Sequence, residues 1–118
     1  MSSVLIIDDD LDIRREVSEI LREDGLEVMT ASNGGEALRL LRSSLPPSVI
    51  LLDLMMPGTS GWEFRRSQMA EPALAAIPVL VFSSFDRGPR NAADLHAAGF
   101  LTKPCSIAEL LAAIKPYR

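Results

Sequence analysis

The sequence predicts a doubly wound α/β fold, in which a five-stranded parallel sheet is covered by helices on both faces. Apolar runs over residues 4–7, 49–52 and 79–82 are each about one strand long and contain no polar residue. Strands that are buried on both faces have such runs, because a strand with one solvated face alternates polar and apolar residues. Segments with helical spacing separate the runs, and strands that alternate with helices form a parallel sheet with right-handed crossovers.

The size and composition of the chain fit one globular domain, which we assign to residues 1–118. Hydrophobic residues make up 47% of the chain and charged residues 24%, which excludes a disordered chain. The net charge of −4 argues against direct binding to nucleic acid. No apolar run approaches the ~20 residues of a membrane span. The single Cys105 cannot form an internal disulfide, so we expect a cytoplasmic protein. From the short apolar runs we also expect that it does not bind a membrane.

The first half of the chain predicts two helices and an edge strand. Apolar residues at i, i+4, i+7 and i+8 from Ile13 define the first helix, and Gly25 is placed to end it. Residues 27–30 form a weaker strand, which we expect at an edge of the sheet. Asn33, followed by Glu36 three residues later, opens a second helix that stops before a pair of prolines.

The second half of the chain predicts two capped helices and a short last strand. Ser60 and Ser106 each stand three residues before a glutamate, a spacing that is typical of a capping box at a helix N-terminus. The last strand is expected over residues 100–102. Residues 86–98 give only a weak helical pattern, because a Gly-Pro pair interrupts its start.

Polar residues follow the strands at the point where each strand ends. The first strand ends at Asp8 and Asp9, and the third ends at Asp53. The fourth strand ends at Ser83 and the fifth at Lys103. The carboxyl ends of parallel strands form one edge of an open α/β sheet, and ligand sites lie there. We therefore expect three carboxylates, a hydroxyl and an amine to converge at one edge of the sheet.

Carboxylates that converge in this way need a counter-charge. A like-charged pair at ~4 Å costs about 4 kcal/mol at an effective dielectric constant of ~20. Either the ammonium of Lys103 or a hard divalent cation offsets that cost, and Mg²⁺ suits a site that has few carboxylates and also takes phosphate oxygens. A carboxylate beside Mg²⁺, with a lysine and a hydroxyl nearby, has the groups needed for phosphoryl transfer. Asp53 is then the nucleophile, and the product is an aspartyl phosphate.

Four motifs in chain order carry a resemblance to a known family. They are IIDDD at residues 6–10, LLDLMMP at 51–57 followed by Gly61, VFSS at 81–84 and FLTKP at 100–104. With these motifs the chain resembles the receiver domain of two-component response regulators, of which the chemotaxis regulator is the single-domain form. The resemblance extends from Val4 to about Lys115. It implies a flavodoxin-like sheet with strand order 2-1-3-4-5, which places the first and third strands side by side.

The resemblance also implies roles for the acidic residues. Asp53 accepts a phosphoryl group from a histidine kinase or a histidine phosphotransfer protein, so the protein is a signalling switch and not an enzyme with turnover on a metabolite. Asp9, Asp53 and the backbone carbonyl of Met55 bind Mg²⁺ directly, and Asp8 acts through water.

A hydroxyl and a lysine hold the phosphoryl oxygens in the same family, which assigns these roles to Ser83 and Lys103. The peptide bond from Lys103 to Pro104 is cis in relatives. Phe100 occupies the position of the switch aromatic, which turns inward on activation in many relatives. The downstream partner is a protein whose identity the sequence does not give. The stretch from Ser83 to Phe100 is shorter than usual, which leaves the output surface and a phosphorylation-dependent homodimer open.

Plainer interpretations stay open beside these roles. Asp8 and Asp9 could cap the first helix, which is the role we favour for Asp10. Phe100 could be an ordinary core residue. The alternative function is a receiver-like adaptor that binds proteins without being phosphorylated. A phosphatase with an aspartate nucleophile is disfavoured, because a methionine stands where it needs a second acid.

Two apolar residues at the mouth of the predicted site bear on how long the aspartyl phosphate survives. Met55 stands two residues after the acceptor and Phe85 two residues after the hydroxyl, the variable positions that most affect hydrolysis in the family. Neither side chain can orient a water molecule, and Phe85 is large enough to cover the phosphoryl group. We therefore expect a comparatively long-lived phosphorylated state.

Overall fold

The computed structural model describes residues 2–54, 60–84 and 96–118 of the chain. Within these ranges one parallel sheet is formed by the strands β1 (Ser3–Ile7), β2 (Glu27–Ala31), β3 (Val49–Leu52), β4 (Val79–Ser84) and β5 (Gly99–Lys103). Their order is β2-β1-β3-β4-β5. Both the doubly wound fold and the strand order that the resemblance implied are therefore confirmed.

Helices cover both faces of this sheet. They are α1 (Leu11–Glu23), α2 (Gly34–Ser43), α3 (Gly61–Ala70), α4 (Pro72–Ala75) and α5 (Ile107–Ile114), with a 3₁₀ turn over Lys115–Tyr117 after the last. α1 and α5 pack on one face, and α2, α3 and α4 pack on the other. α4 has four residues and was not predicted, because a single helical turn leaves no periodic pattern in a sequence. In the described ranges, none of the helices has both the length and the apolar character needed to cross a membrane.

Side-chain caps begin the longer helices, as the sequence predicted. Ser106 and Glu109 form a complete capping box, in which each side chain accepts the backbone N–H of the other residue at 3.1 Å. Asp10 caps α1 by accepting two amides of its first turn, which is the role favoured for it. Gly25 follows α1 with a φ of +87°, a left-handed conformation that glycine adopts at little cost. In the described ranges Asn33 also caps α2 and Ser60 caps α3, but the capping box predicted at Ser60 is only half formed, because the Glu63 amide donates to Ser60 Oγ at 3.2 Å without the reciprocal bond.

Burial along the strands follows the sequence pattern. All four residues of β3 are buried, as expected of a central strand with helices on both sides. β2 is mostly half-buried and lies at an edge of the sheet, which was also predicted. Phe64 of α3 is fully buried in the core on the α2–α3 face. A second core lies on the α1–α5 face, so packing on both faces of the sheet fixes the positions of the strand ends.

The last two strands are longer than predicted. β4 continues to Ser84, and β5 spans Gly99–Lys103 where only residues 100–102 were expected. In their register Ser83 pairs with Thr102, because backbone hydrogen bonding does not require apolar side chains. The weak helix predicted over 86–98 lies mostly outside the described residues, and its last three positions are not helical.

Candidate functional site

Three aspartates meet at the carboxyl edge of the sheet. Asp8 and Asp9 follow β1, and Asp53 follows β3, which is the neighbour of β1. One carboxylate oxygen of each lies within 4.8 Å of the others. Asp8 and Asp53 are buried, whereas Asp9 is exposed. The structure thus brings together the three carboxylates that the sequence placed at this edge.

Backbone hydrogen bonds beyond the strand ends fix the two buried aspartates. The amide of Asp53 donates to the carbonyl of Ile7 at 2.9 Å, and the amide of Asp8 donates to the carbonyl of Ala31 at 3.1 Å. Asp8 Oδ1 also accepts the amide of Asp10 at 3.0 Å. The spacing of the carboxylates is therefore set by the sheet, and the side chain of Asp8 is tied to the turn that leads into α1.

Lys103, at the end of β5, brings a positive charge to the aspartates. Its Nζ lies 2.6 Å from Asp8 Oδ2 and 3.8 Å from Asp53 Oδ1. The ammonium also lies 5.2 Å from the centroid of the Phe82 ring, and the side chain is only 16% exposed. The peptide bond from Lys103 to Pro104 is cis, in agreement with the resemblance. Lys103 therefore converges with the carboxylates, as the sequence predicted.

One ammonium does not balance three carboxylates. The formal charges of Asp8, Asp9, Asp53 and Lys103 sum to −2. A cluster of hard oxygen ligands with this charge fits Mg²⁺, which binds through one or two carboxylates and keeps several waters. Both carboxylate oxygens of Asp8 already accept hydrogen bonds, one from the amide of Asp10 and one from Lys103.

Ser83 is the next-to-last residue of β4, at the same carboxyl edge of the sheet. The residue lies in β4 and is 2% exposed. In the described residues its Oγ has no hydrogen-bond partner. A buried hydroxyl without a partner costs about 1–3 kcal/mol, so a ligand oxygen that accepted this hydrogen bond would bind favourably.

Phe100 does not belong to the core. Its side chain is 47% exposed, and its position in β5 is paired with Val81 of β4. The plain core interpretation of Phe100 is therefore wrong, because a core side chain would be buried. The switch role that the resemblance assigns to Phe100 stays a prediction.

Two further residues shape the site, and the sequence did not single out either for this purpose. A Cβ at Gly61 would lie 2.6 Å from the carbonyl oxygen of Asp53, so only glycine lets α3 begin this close to β3. Arg14 Nη1 donates to the carbonyl of Asp8 at 2.6 Å. In the sequence analysis Gly61 was named only as part of a motif. The role of Arg14 could not be predicted, because its partner is a backbone carbonyl, which every residue has.

Two site predictions lie outside the described residues. One is Met55, whose carbonyl the resemblance assigns as a magnesium ligand, and the other is Phe85, which we expect at the mouth of the site. Their roles stay predictions.

A cavity of about 370 Å³ lies beside the site, between α1, α5 and the connection after β5. Most of its lining is apolar, and it reaches Lys103. Cys105 is half-buried in its wall, and burial raises the pKa of this thiol, with a smaller contribution from the charge of Glu109. A raised pKa keeps the thiol protonated and unreactive.

Comparison with known proteins adds to this geometry. The family model described as the response regulator receiver domain matches residues 4–115. The chain is 32% identical to Protein PilH of Pseudomonas aeruginosa over 120 residues, which covers 97% of this chain and 95% of PilH. It is 36% identical to Protein PilG of the same organism over 117 residues, which covers 97% of this chain and 85% of PilG.

Solved structures of similar proteins share the whole fold. The chemotaxis response regulator CheY4 of Vibrio cholerae superposes with a TM-score of 0.89 at 30% identity, covering 100% of this chain and 99% of CheY4. The response regulator protein TrrA of Thermotoga maritima, solved in complex with Mg²⁺-BeF, has a TM-score of 0.88 at 27% identity and covers 100% of both chains.

Proposed function

The chain belongs to the response regulator receiver domain family, whose members are phosphorylation-dependent signalling switches, and we propose that Asp53 is its phosphoryl acceptor. Residues 1–118 then form a single receiver domain. The observation that carries the proposal is the position of Lys103 Nζ between the carboxylates of Asp8 and Asp53. Such a cluster has a nucleophile, a place for a dication and a cation for the phosphoryl oxygens.

The acidic cluster supports Mg²⁺ as the metal that this reaction needs. Receiver domains bind Mg²⁺ at an acidic pocket, and the residual formal charge of −2 in this cluster matches a dication. In our proposal Asp9 and Asp53 are direct ligands together with the carbonyl of Met55. Asp8 acts through water, because Lys103 and the amide of Asp10 occupy its oxygens. The metal, when bound, neutralises the negative charge that builds up during transfer.

The transfer step itself uses residues of this chain. A carboxylate oxygen of Asp53 attacks the phosphorus of a phosphohistidine on a histidine kinase or a histidine phosphotransfer protein. The O–P bond forms as the N–P bond breaks, and the imidazole leaves with the electron pair of that bond and takes up a proton. The hydroxyl of Ser83, buried and without a partner in the described residues, then donates to one phosphoryl oxygen. Lys103 pairs with another, since its ammonium already lies 3.8 Å from Asp53.

The output of the switch follows from the change at this edge of the sheet. Ser83 lies near the end of β4, and Lys103 is the last residue of β5. Phe100 is the second residue of β5, three positions before Lys103. We propose that phosphorylation moves Phe100 inward and changes the surface offered to a downstream protein or to a second copy of the chain. Turnover is then limited to the protein's own phosphorylation and dephosphorylation, and a cytoplasmic location remains our expectation.

Phosphorylation by a small-molecule donor tests the proposal. The wild type, incubated with acetyl phosphate and Mg²⁺, should gain the mass of one phosphoryl group, and it should gain none when the metal is chelated. Asp53→Asn should gain nothing, because the amide is not a nucleophile for phosphorus. Asp10→Asn is the matched control, since Asp10 caps α1 at the same edge of the sheet and asparagine is an equally good cap. A wild type that gains no mass would favour the adaptor alternative.

A further inference from the structure

α3 carries a buried polar pair on the side that faces the core. Arg65 is 7% exposed and Gln68 is 0% exposed. Arg65 Nη1 donates to Gln68 Oε1 at 2.8 Å. Gln68 Nε2 in turn donates to the carbonyls of Leu74 and Ile77, at 2.9 and 3.1 Å. Gln68 therefore anchors the guanidinium to α4 and to the connection that leads into β4.

A second arm of the guanidinium reaches the chain just before β5. Arg65 Nη2 donates to the carbonyl of His96 at 3.1 Å. His96 has a φ of +50°, in the left-handed region, which is uncommon for residues other than glycine but which histidine adopts more often than most. Two residues later the amide of Ala98 donates to the carbonyl of Val79 at 2.8 Å. Pairing between β4 and β5 begins at the next residue, Gly99.

Stability alone does not account for a guanidinium in this place. Burial lowers the pKa of Arg65, because taking the group out of water disfavours its charged form. Apolar side chains of similar volume often replace buried charged groups with no loss of stability. Apolar side chains at positions 65 and 68, however, could not donate hydrogen bonds to the backbone carbonyls that Arg65 and Gln68 now bind. The hydrogen bonds of Arg65 and Gln68 join three separate segments, which is a positional task.

We propose that Arg65 is a positioning residue for β5. Anchored by Gln68, its guanidinium holds the carbonyl of His96 and fixes where the chain begins the strand that carries Phe100 and Lys103. A residue in a sparsely populated conformation persists only when its surroundings enforce it, and the bond from Arg65 supplies that restraint at His96. The restraint that Arg65 places on His96 is independent of the proposed function. The effect of that restraint on the roles of Phe100 and Lys103 in the switch rests on the proposed function.

Hydrogen exchange of the metal-free protein tests the structural part. The readout is the exchange rate of the Ala98 amide relative to that of the Ile50 amide, which donates to Pro78 at 2.9 Å on the opposite side of β4. Arg65→Met should raise this ratio by about tenfold, because local opening becomes easier at the start of β5 while the centre of the sheet keeps its bonds. Arg65→Lys, which keeps a buried cation but loses the planar fork, should give an intermediate ratio.

Arg66→Met is the matched control, because Arg66 is the next residue of α3 and is exposed. Its ratio should equal that of the wild type. A global loss of stability in Arg65→Met raises the Ile50 rate at least as much as the Ala98 rate, so a variant that is merely less stable does not give the expected rise in the ratio. An unchanged ratio in both Arg65 variants would overturn the inference.

Beryllofluoride with Mg²⁺, a mimic of the bound phosphoryl group, separates this inference from the proposed function. Arg65→Met should still bind beryllofluoride, but the amide shifts of Phe100 and Lys103 at saturation should lose amplitude. Full wild-type shifts in this variant would overturn the link from Arg65 to the switch. Absence of binding by the wild type would count against the proposed function instead, and the exchange ratio at Ala98 would still decide the structural part.

Discussion

Lys103 donates a hydrogen bond to Asp8 across 95 positions of sequence, with 2.6 Å between Nζ and Oδ2. The same ammonium lies 3.8 Å from Asp53 Oδ1, so one lysine at the end of β5 reaches carboxylates that follow β1 and β3. Its charge offsets the repulsion of the two buried acids, and it stands where a phosphoryl group on Asp53 would need a cation. In our proposal the lysine therefore has two electrostatic tasks, one before phosphorylation and one after.

Removal of this lysine should strengthen metal binding. Lys103→Met leaves three carboxylates with a formal charge of −3, and we expect Mg²⁺ to bind more tightly by on the order of tenfold, a cautious fraction of the ~4 kcal/mol for a close charge pair. Asp9→Asn should change the affinity in the opposite direction. Calorimetry measures both, with the exposed Lys115→Met as control. Weaker binding in Lys103→Met would contradict this account of the charges.

A side chain at position 61 should disturb the acceptor. The Cβ of Gly61→Ala would lie 2.6 Å from the carbonyl oxygen of Asp53 and 2.7 Å from Leu54 Cα. We expect a loss of about 1–3 kcal/mol in the free energy of unfolding, together with slower phosphorylation by acetyl phosphate.

Gly35→Ala is the matched control for position 61, because its Cβ would meet only Asn33 Oδ1, at 3.4 Å. It should be neutral or stabilising by about 0.5–1 kcal/mol, since alanine favours the helical state. Urea unfolding compares the two variants. Equal stability of Gly61→Ala and the wild type would show that α3 can move away from β3 without cost.

The aspartyl phosphate should be long-lived. Met55 and Phe85 offer no group that could orient a water for attack on the phosphorus. Met55→Asn combined with Phe85→Glu should shorten the lifetime by roughly tenfold if about 1.4 kcal/mol of barrier is removed. Phosphate release with excess Mg²⁺ follows the rate. A wild type that loses phosphate as fast as the double variant would mean that these apolar residues do not control the lifetime.

The thiol of Cys105 should react slowly. Because burial raises its pKa and the charge of Glu109 raises it further, the thiolate forms only at higher pH than in a free cysteine. The rate of alkylation by iodoacetamide should therefore rise with pH, with a midpoint at higher pH than that of glutathione. Glu109→Gln should move the curve down slightly, whereas Glu27→Gln, at the far edge of the sheet, should not. A midpoint at lower pH than that of glutathione would contradict the buried environment.

Local patterns in the sequence were enough to predict the strands and the helix caps. The apolar run of β3 is fully buried, and the Ser106–Glu109 spacing forms a complete capping box, because both features depend on neighbours within a few residues. The convergence of Asp8, Asp53 and Lys103 could also be predicted, since it follows from where parallel strands end.

Features that depend on distant partners could not be predicted. Arg65 and Gln68 occupy helical positions where a polar residue suggests solvent, yet their partners lie in other segments, with His96 31 positions away. The exposure of Phe100 depends on which face of the edge strand is covered, and its apolar side chain alone does not indicate this. The length of β5 was underestimated because its backbone pairing extends through polar residues.

Identification of the phosphorylated residue tests the central claim most directly. Borohydride reduces an aspartyl phosphate to homoserine, so the wild type can be phosphorylated with acetyl phosphate and Mg²⁺, reduced, digested and sequenced by mass spectrometry. Our account predicts homoserine at position 53 and aspartate at positions 8 and 9. Homoserine at Asp8 or Asp9, with aspartate retained at position 53, would contradict the assignment of Asp53 as the acceptor.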